Sequence, residues 1–144
     1  MKYITGSPGE TSDLGRALAA RLCAGEVVCL YGDLGSGKTT FISGVINFFR
    51  PKTRVLSPTF IIVRHYRFDK APVKNLFHAD LYRLEKKSSV KALGLAEYWT
   101  YADSVFLIEW ADKMAGQLPE KRIDISFRIT GRDKREIIYG RTDK

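Results

Sequence analysis

The sequence predicts an α/β protein of three layers, built on a mixed, mainly parallel central sheet with a C-terminal antiparallel hairpin. Three observations carry that expectation. Residues 26–31 form an apolar, β-branched run that enters a glycine-rich loop and then a stretch with apolar residues at helical spacing. Residues 105–108 form a second apolar run, closed by an acid at Glu109. Near the end, Ile123, Ile125, Phe127 and Ile129 alternate strictly before a turn and a returning segment. Short, uniformly apolar strands suit the middle of a parallel sheet, whereas alternating strands on either side of a turn pair antiparallel.

The loop is the most informative stretch. From Gly32 to Thr39 it satisfies the phosphate-binding pattern G-x-x-x-x-G-K-[ST] at each defined position. Its glycines permit positive φ, so successive backbone N–H groups can turn inward into an anion-binding nest. The following helix adds its own free N–H groups and dipole. Lys38 is the expected contact to the β- and γ-phosphates, and the Thr39 hydroxyl the expected magnesium ligand. Asp33, Gly35, Ser36, Gly37, Lys38, Thr39 and Thr40 are therefore the candidate nucleotide-binding set, and the expected fold is P-loop NTPase-like. The competing reading is a chance glycine turn with a surface lysine. An apolar strand before the loop and Phe41, Val45 and Phe48 at helical spacing after it argue against chance.

Bulk properties set the frame. The 144 residues suit a single domain, 1–144, and composition is ordinary for a globular protein, with 44% hydrophobic and 28% charged residues. No run approaches the roughly 18 apolar residues of a membrane span, and the first residues lack the apolar core of a signal peptide. Cys23 and Cys29 suit neither a disulfide framework nor a zinc site. A cytoplasmic protein without membrane contact, monomeric when alone, is the expectation. The net charge of +8 fits either an acidic partner such as RNA or a well-solvated surface, and no RNA-binding motif decides between them.

In chain order, residues 7–24 predict a helix. Ser7 and Glu10 have capping-box spacing, Leu14, Leu18 and Leu22 share one face, and Gly25 is a natural stop. The phosphate-loop helix ends at Pro51. Residues 52–68 read as a loop, then a strand with one more exposed face. A threonine at Thr59, in Ser57-Pro58-Thr59-Phe60, stands where a γ-phosphate sensor can sit, although on these residues alone a proline turn with a hydrogen-bonded hydroxyl is the better reading. Residues 73–84 predict a strand ending near Asp80, a position facing the ligand crevice of a parallel sheet. His65 and His78 have no partner at metal-ligand spacing. A helix is expected over 85–99. The run ending in Glu109 has the shape of a strand that delivers a carboxylate beside magnesium. A short helix over 114–118 and the hairpin, with strands at 122–130 and 135–140, complete the chain.

Four segments occur in one order: Gly-Asp-Leu-Gly-Ser-Gly-Lys-Thr-Thr-Phe (32–41), Ser-Pro-Thr-Phe (57–60), His-Ala-Asp-Leu-Tyr-Arg-Leu (78–84) and Ile-Glu-Trp (108–110). Together they resemble the bacterial TsaE family, the small ATPase of tRNA threonylcarbamoyladenosine biosynthesis, from about residue 7 to the hairpin turn. The resemblance implies ATP and Mg²⁺ as ligands. It makes Lys38, Thr59, Asp80 and Glu109 the catalytic candidates and Thr39, Glu109 and Asp80 the metal-side residues. Thr11 matches a threonine near the adenine, and Gly131-Arg132 a Gly-Arg near the nucleotide. It also implies a partner, the TsaB–TsaD complex, which ATP hydrolysis resets between turnovers, with tRNA contacted only indirectly or weakly. Ser36 departs from the family's usual alanine and Ala111 from its frequent proline. Other classes remain open: a small-molecule or nucleotide kinase, though no arginine-bearing lid is evident, and a GTPase, though no Asn-Lys-x-Asp reads guanine.

Overall fold

The structure is a computed structural model that describes residues 1–55, 63–69, 73–82, 103–114 and 116–142. Its elements are β1 (Lys2–Thr5), α1 (Pro8–Ala19), β2 (Val27–Tyr31), α2 (Lys38–Phe49), β3 (Val63–Arg67), β4 (Asn75–Asp80), β5 (Ser104–Glu109), a 3₁₀ turn (Ala111–Met114), β6 (Ile123–Ile129) and β7 (Arg135–Arg141). The strands form one seven-stranded sheet in the order β1-β7-β6-β2-β5-β4-β3. The four inner strands β6, β2, β5 and β4 run parallel, while β3 and β7 are antiparallel to their inner neighbours. This is the mixed sheet the sequence predicts. The predicted helix over 85–99 and the Ser57–Phe60 loop that carries Thr59 lie outside the described residues.

Period-two alternation divides the inner strands into two apolar faces. Val28, Leu30, Val105, Leu107, Ile123 and Ile125 point to one side, where Leu18 of α1 and Phe41, Ile42, Val45 and Ile46 of α2 close over them. Cys29, Phe106, Ile108 and Ala79 point to the other, against Ala111 and Met114 of the 3₁₀ turn. Each fully buried large side chain contributes roughly 1.5–3 kcal/mol by leaving water. Burial also pushes the Cys29 thiol up to about 12, so it is a core residue rather than a reactive one. The two helices cross at their glycines, Gly15 of α1 and Gly44 of α2, each facing the other helix's backbone.

Two helix boundaries and one strand differ from the sequence expectation. Helix α1 begins as predicted, with the Glu10 N–H donating to Ser7 Oγ at 3.1 Å and Pro8 in the first turn. It ends at Ala19 rather than 24 because the chain tightens: Arg21 N–H bonds Leu18 O at 2.9 Å and Leu22 N–H bonds Ala19 O at 3.2 Å, both three residues back. Leu22 nevertheless still packs against the core. The short helix expected over 114–118 forms earlier, at Ala111–Met114, and Gly116, with φ +87°, keeps the chain from continuing as a helix. Strand β1 was not predicted at all. Its exposed Ile4 is apolar and its buried Thr5 polar, so hydropathy does not mark its two faces; β7 recruits it as an edge.

Candidate functional site

Strand β2 ends at Tyr31, and the chain turns through Gly32 (φ +148°), Gly35 (φ +77°) and Gly37 (φ +104°) into α2. A Cβ on Gly32 would lie 2.7 Å from both Phe127 O and Ser36 Oγ, so the loop seats against β6 only with glycine there. Gly37 is the N-cap of α2 in left-handed conformation, and neither a side-chain cap nor an acidic residue occupies the first turn. The helix therefore presents backbone N–H groups without a resident anion.

Those N–H groups open onto a cavity of about 190 Å³. Asp33, Gly35, Ser36, Gly37, Lys38, Thr39 and Thr40 line it from the loop, Thr11 from α1, and Asp80, Glu109 and Trp110 from the ends of β4 and β5. Parallel pairing explains the last group: Asp80 stands in register with Glu109, and Glu109 with Leu30, so both carboxylates emerge beside the loop at the carboxyl edge of the sheet. With Asp133 and Arg135 of the hairpin, residues from five separate sequence segments are thus brought to one place.

Within the cavity Lys38 is buried. Its ammonium donates to the carbonyls of Gly32 and, at 3.1 Å, of Asp33, and lies 4.4 Å from the centre of the Trp110 ring. Trp110 holds this position in a left-handed backbone conformation, φ 59°, that non-glycine residues rarely adopt. Burial lowers the Lys38 pKa, and the nearby charges of Glu109, Asp80 and Asp33 partly restore it. The Thr39 hydroxyl donates to Glu109 Oε1 at 3.3 Å, and Glu109 Oε2 accepts from His78 Nε2 at 2.6 Å. Thr11 lines the wall, yet its hydroxyl is engaged with Thr5 Oγ1 at 2.7 Å and with the Ser7 carbonyl at 3.3 Å. Ser36 Oγ is buried and has no hydrogen-bond partner among the described residues.

Asp80 is half-buried, and Oδ1 accepts the Tyr82 N–H at 3.0 Å. Burial first, and then the charge of Glu109, lift its carboxyl above the ordinary carboxylate range, against opposing effects of the Tyr82 N–H, His78 and Lys38. A carboxyl with a raised folded-state pKa binds its proton more tightly when folded. Its charge therefore destabilises the fold as pH rises through that raised value, and has no effect below the ordinary one. Asp80→Asn keeps an oxygen for the Tyr82 N–H and removes the charge. The variant is expected to melt above wild type at neutral pH, with the difference closing as pH falls towards about 4. Thermal melts across pH test this, and a less stable variant at neutral pH would contradict it.

The Gly131-Arg132 match is only partly reflected in the geometry. Arg132 is exposed and does not line the cavity. Arg135 does: its Nη2 donates to Gly35 O at 3.1 Å, while Nη1 is held by the carbonyls of Lys134 (2.9 Å), Gly131 and Arg132 (both 3.3 Å). Sequence reasoning passed over Arg135 because the hairpin turn that swings it over the loop is a tertiary feature. If the cavity receives a nucleotide's phosphates, Arg135→Ala, which releases Gly35 O and loosens the loop, is expected to weaken that binding by up to about tenfold, the worth of one charge-assisted hydrogen bond of roughly 1.5 kcal/mol. Arg132→Ala should change it by less than about twofold. Calorimetric titration of both variants checks the contrast, and the opposite order would refute it.

Among the described residues no group of three His, Cys, Asp or Glu side chains forms a metal cluster. Mg²⁺ needs less than that. It is commonly held by a hydroxyl and one or two carboxylates together with substrate phosphates, and Thr39, Glu109 and Asp80 supply such hard oxygens on one wall of the cavity.

A glycine loop running from a central parallel strand into a helix, with two carboxylates at neighbouring strand ends, defines the class of phosphate-loop NTPase folds. Comparison with known proteins narrows it. The family model described as "Threonylcarbamoyl adenosine biosynthesis protein TsaE" matches residues 5–137. The tRNA threonylcarbamoyladenosine biosynthesis protein TsaE of Bacillus subtilis is 40% identical over 139 residues, covering 96% of this chain and 84% of that protein. The protein of the same name from Rickettsia bellii is 36% identical over 133 residues, covering 92% and 89%. The crystal structure of Bacillus YdiB superposes with a TM-score of 0.80 at 34% identity, covering 99% of this chain and 85% of the other. The chain belongs to the TsaE family, whose members are named for tRNA threonylcarbamoyladenosine biosynthesis.

Proposed function

We propose that this protein is a Mg²⁺-dependent ATPase of tRNA threonylcarbamoyladenosine biosynthesis. It hydrolyses ATP slowly alone, associates with the TsaB–TsaD complex in a nucleotide-dependent way and resets that complex between turnovers. The observation that carries the reading is the convergence of Lys38, Thr39, Asp80 and Glu109 on one cavity beneath the free N–H groups of α2. An anionic phosphate chain is what those N–H groups and the lysine are arranged to receive.

The roles derive from position. The loop N–H groups and Lys38 bind the phosphates and stabilise charge on the γ-phosphoryl oxygens as the bond to the leaving oxygen lengthens. To do so Lys38 exchanges the Gly32 and Asp33 carbonyls for phosphate oxygens. Thr39 and Glu109 hold Mg²⁺, which when bound supplies positive charge to the phosphates. Asp80, kept partly dry beside them, orients the attacking water. Thr59 is a candidate for sensing the γ-phosphate. Arg135, the one arginine lining the cavity among the described residues, is held by four backbone carbonyls rather than aimed at the phosphate site, which is the ground for expecting slow turnover in isolation.

The deciding experiment combines the purified protein with purified TsaB–TsaD under ATP–Mg²⁺, ADP–Mg²⁺ or no nucleotide, and measures capture and ATP hydrolysis together. Capture that depends on nucleotide, lost in Lys38→Ala, with turnover accelerated by the complex, is the expected result. Turnover of tens per second by the free protein, or phosphate transferred from ATP to a small molecule, would replace this reading with a different one.

A further inference from the structure

Glu109 is 3% exposed, and a carboxylate so buried needs hydrogen bonds to offset its lost hydration. Among the described residues it has two, one on each oxygen. Thr39 Oγ1 meets Oε1 at 3.3 Å, and His78 Nε2 meets Oε2 at 2.6 Å. The first partner belongs to the phosphate-loop helix and faces the cavity. The second lies behind the carboxylate on β4, is 0% exposed and does not line the cavity at all.

The histidine is a costly choice for a position that only needs filling. Its other ring nitrogen, Nδ1, is buried without a partner among the described residues. A leucine there would fill the same space with no orphaned polar atom. What the imidazole adds is a donor fixed by the strand. Facing a carboxylate, whose oxygens accept, Nε2 is the nitrogen to which the proton is assigned. A bare lone pair on the buried Nδ1 is also less costly than an N–H left unbonded there. Period two along β4 puts His78 on the same face as Asp80, and the parallel register sets His78 beside Leu107, two residues before Glu109. The side chain is thereby aimed along the sheet surface at Oε2.

We propose that His78 is a positioning residue for Glu109. Its Nε2–H pins Oε2 and so turns Oε1 towards Thr39 and the cavity, where the magnesium side of the site is formed. The proposal rests on the ATPase reading for its kinetic consequence, though not for the hydrogen bond itself. Partners that orient a ligating group from behind typically alter metal affinity or activity by about 10–100-fold when removed. Since His78 does not line the cavity, nucleotide binding should be nearly indifferent to it.

Two measurements on the full chain test this. In histidine-labelled protein, two-bond ¹H–¹⁵N correlation spectra should report the Nε2–H tautomer for His78, with a resonance that shifts in Glu109→Gln. Kinetically, His78→Leu should lower kcat about 10–100-fold and raise the Mg²⁺ concentration for half-maximal binding, with KM for ATP within about threefold of wild type. His78→Gln, whose amide can donate from a similar point, should recover most of that loss. An Nδ1–H tautomer overturns the proposal. So does wild-type kcat and Mg²⁺ dependence in His78→Leu, or a His78→Gln variant as impaired as His78→Leu. Should the leucine variant fail to fold, the spectrum and the glutamine variant still decide. Should wild-type protein neither bind nor hydrolyse ATP, the ATPase reading falls, and the spectrum alone judges the His78–Glu109 bond.

Discussion

Lys38→Met is expected to bring ATP turnover down by at least about 10²–10³-fold while leaving the melting temperature at or above that of wild type. The two halves of that result come from one feature. Lys38 is buried, forms no ion pair among the described residues, and depends on the carbonyls of Gly32 and Asp33 and on the Trp110 ring. Burial lowers its pKa, so the charged form is disfavoured in the folded state. By linkage, the charged lysine destabilises the fold below that lowered value, and the penalty fades as pH rises through it. Methionine keeps an apolar side chain of similar length and removes the charge that now stands over Trp110. The carbonyls it abandons are not orphaned, because Asp33 is exposed and Gly32 partly so, within reach of water. Catalysis loses the cation that would oppose charge on the phosphates. Steady-state turnover and a thermal melt on the same preparation check both halves. A strongly destabilised variant would mean that Lys38 holds the loop together, and turnover of wild-type size would remove it from the site.

Much of this site was legible in the chain because its chemistry is local. A glycine loop before a lysine and a threonine can be read from eight consecutive residues, and Glu109 from the apolar run before it. Asp80 was legible as a carboxylate closing a strand. Asp80 and Glu109 become neighbours through the pairing of β4 with β5, which the sequence expectation did not specify. The illegible part depends on contacts between distant segments. His78 gives no sign in sequence of the carboxylate it bonds 31 residues away. Arg135 reaches Gly35 only because β6 lies parallel to β2 and the hairpin turn folds above the loop. In each case the residue type was visible, and the partner was supplied by the sheet register.

The largest effect on stability is expected where the two helices touch. A Cβ built on Gly44 lies 2.0 Å from Ser12 O and 2.8 Å from the Ser12 carbonyl carbon, and one on Gly15 lies 2.1 Å from Phe41 O. These obstacles are backbone atoms, so no rotamer change relieves them; α1 and α2 must separate by roughly an ångström to restore an ordinary contact. Overpacking of a tight interface costs about 1–3 kcal/mol, and the upper end applies when backbone must move. Alanine returns roughly 1 kcal/mol through its better helix propensity. Gly44→Ala should therefore lose roughly 2 kcal/mol, a fall of about 4–8 °C in melting temperature for a chain of this size. Gly9 is the internal control: it lies in the first turn of α1, and a Cβ there would meet only Ser7 Oγ, at an ordinary 3.8 Å. Gly9→Ala should gain about 0.4–1 kcal/mol. The same comparison reaches the site, because α1 carries Thr11 and α2 carries Lys38 and Thr39. Separating the helices moves the Thr11 methyl away from Gly37, where it now stands 3.5 Å from a built Cβ. Gly44→Ala should then weaken ATP binding while Gly9→Ala leaves it unchanged. Denaturant melts and titrations of both variants check this. A Gly44→Ala protein as stable as wild type would mean that the helices can part freely, and the fixed geometry of Thr39 against Glu109 would then need another support.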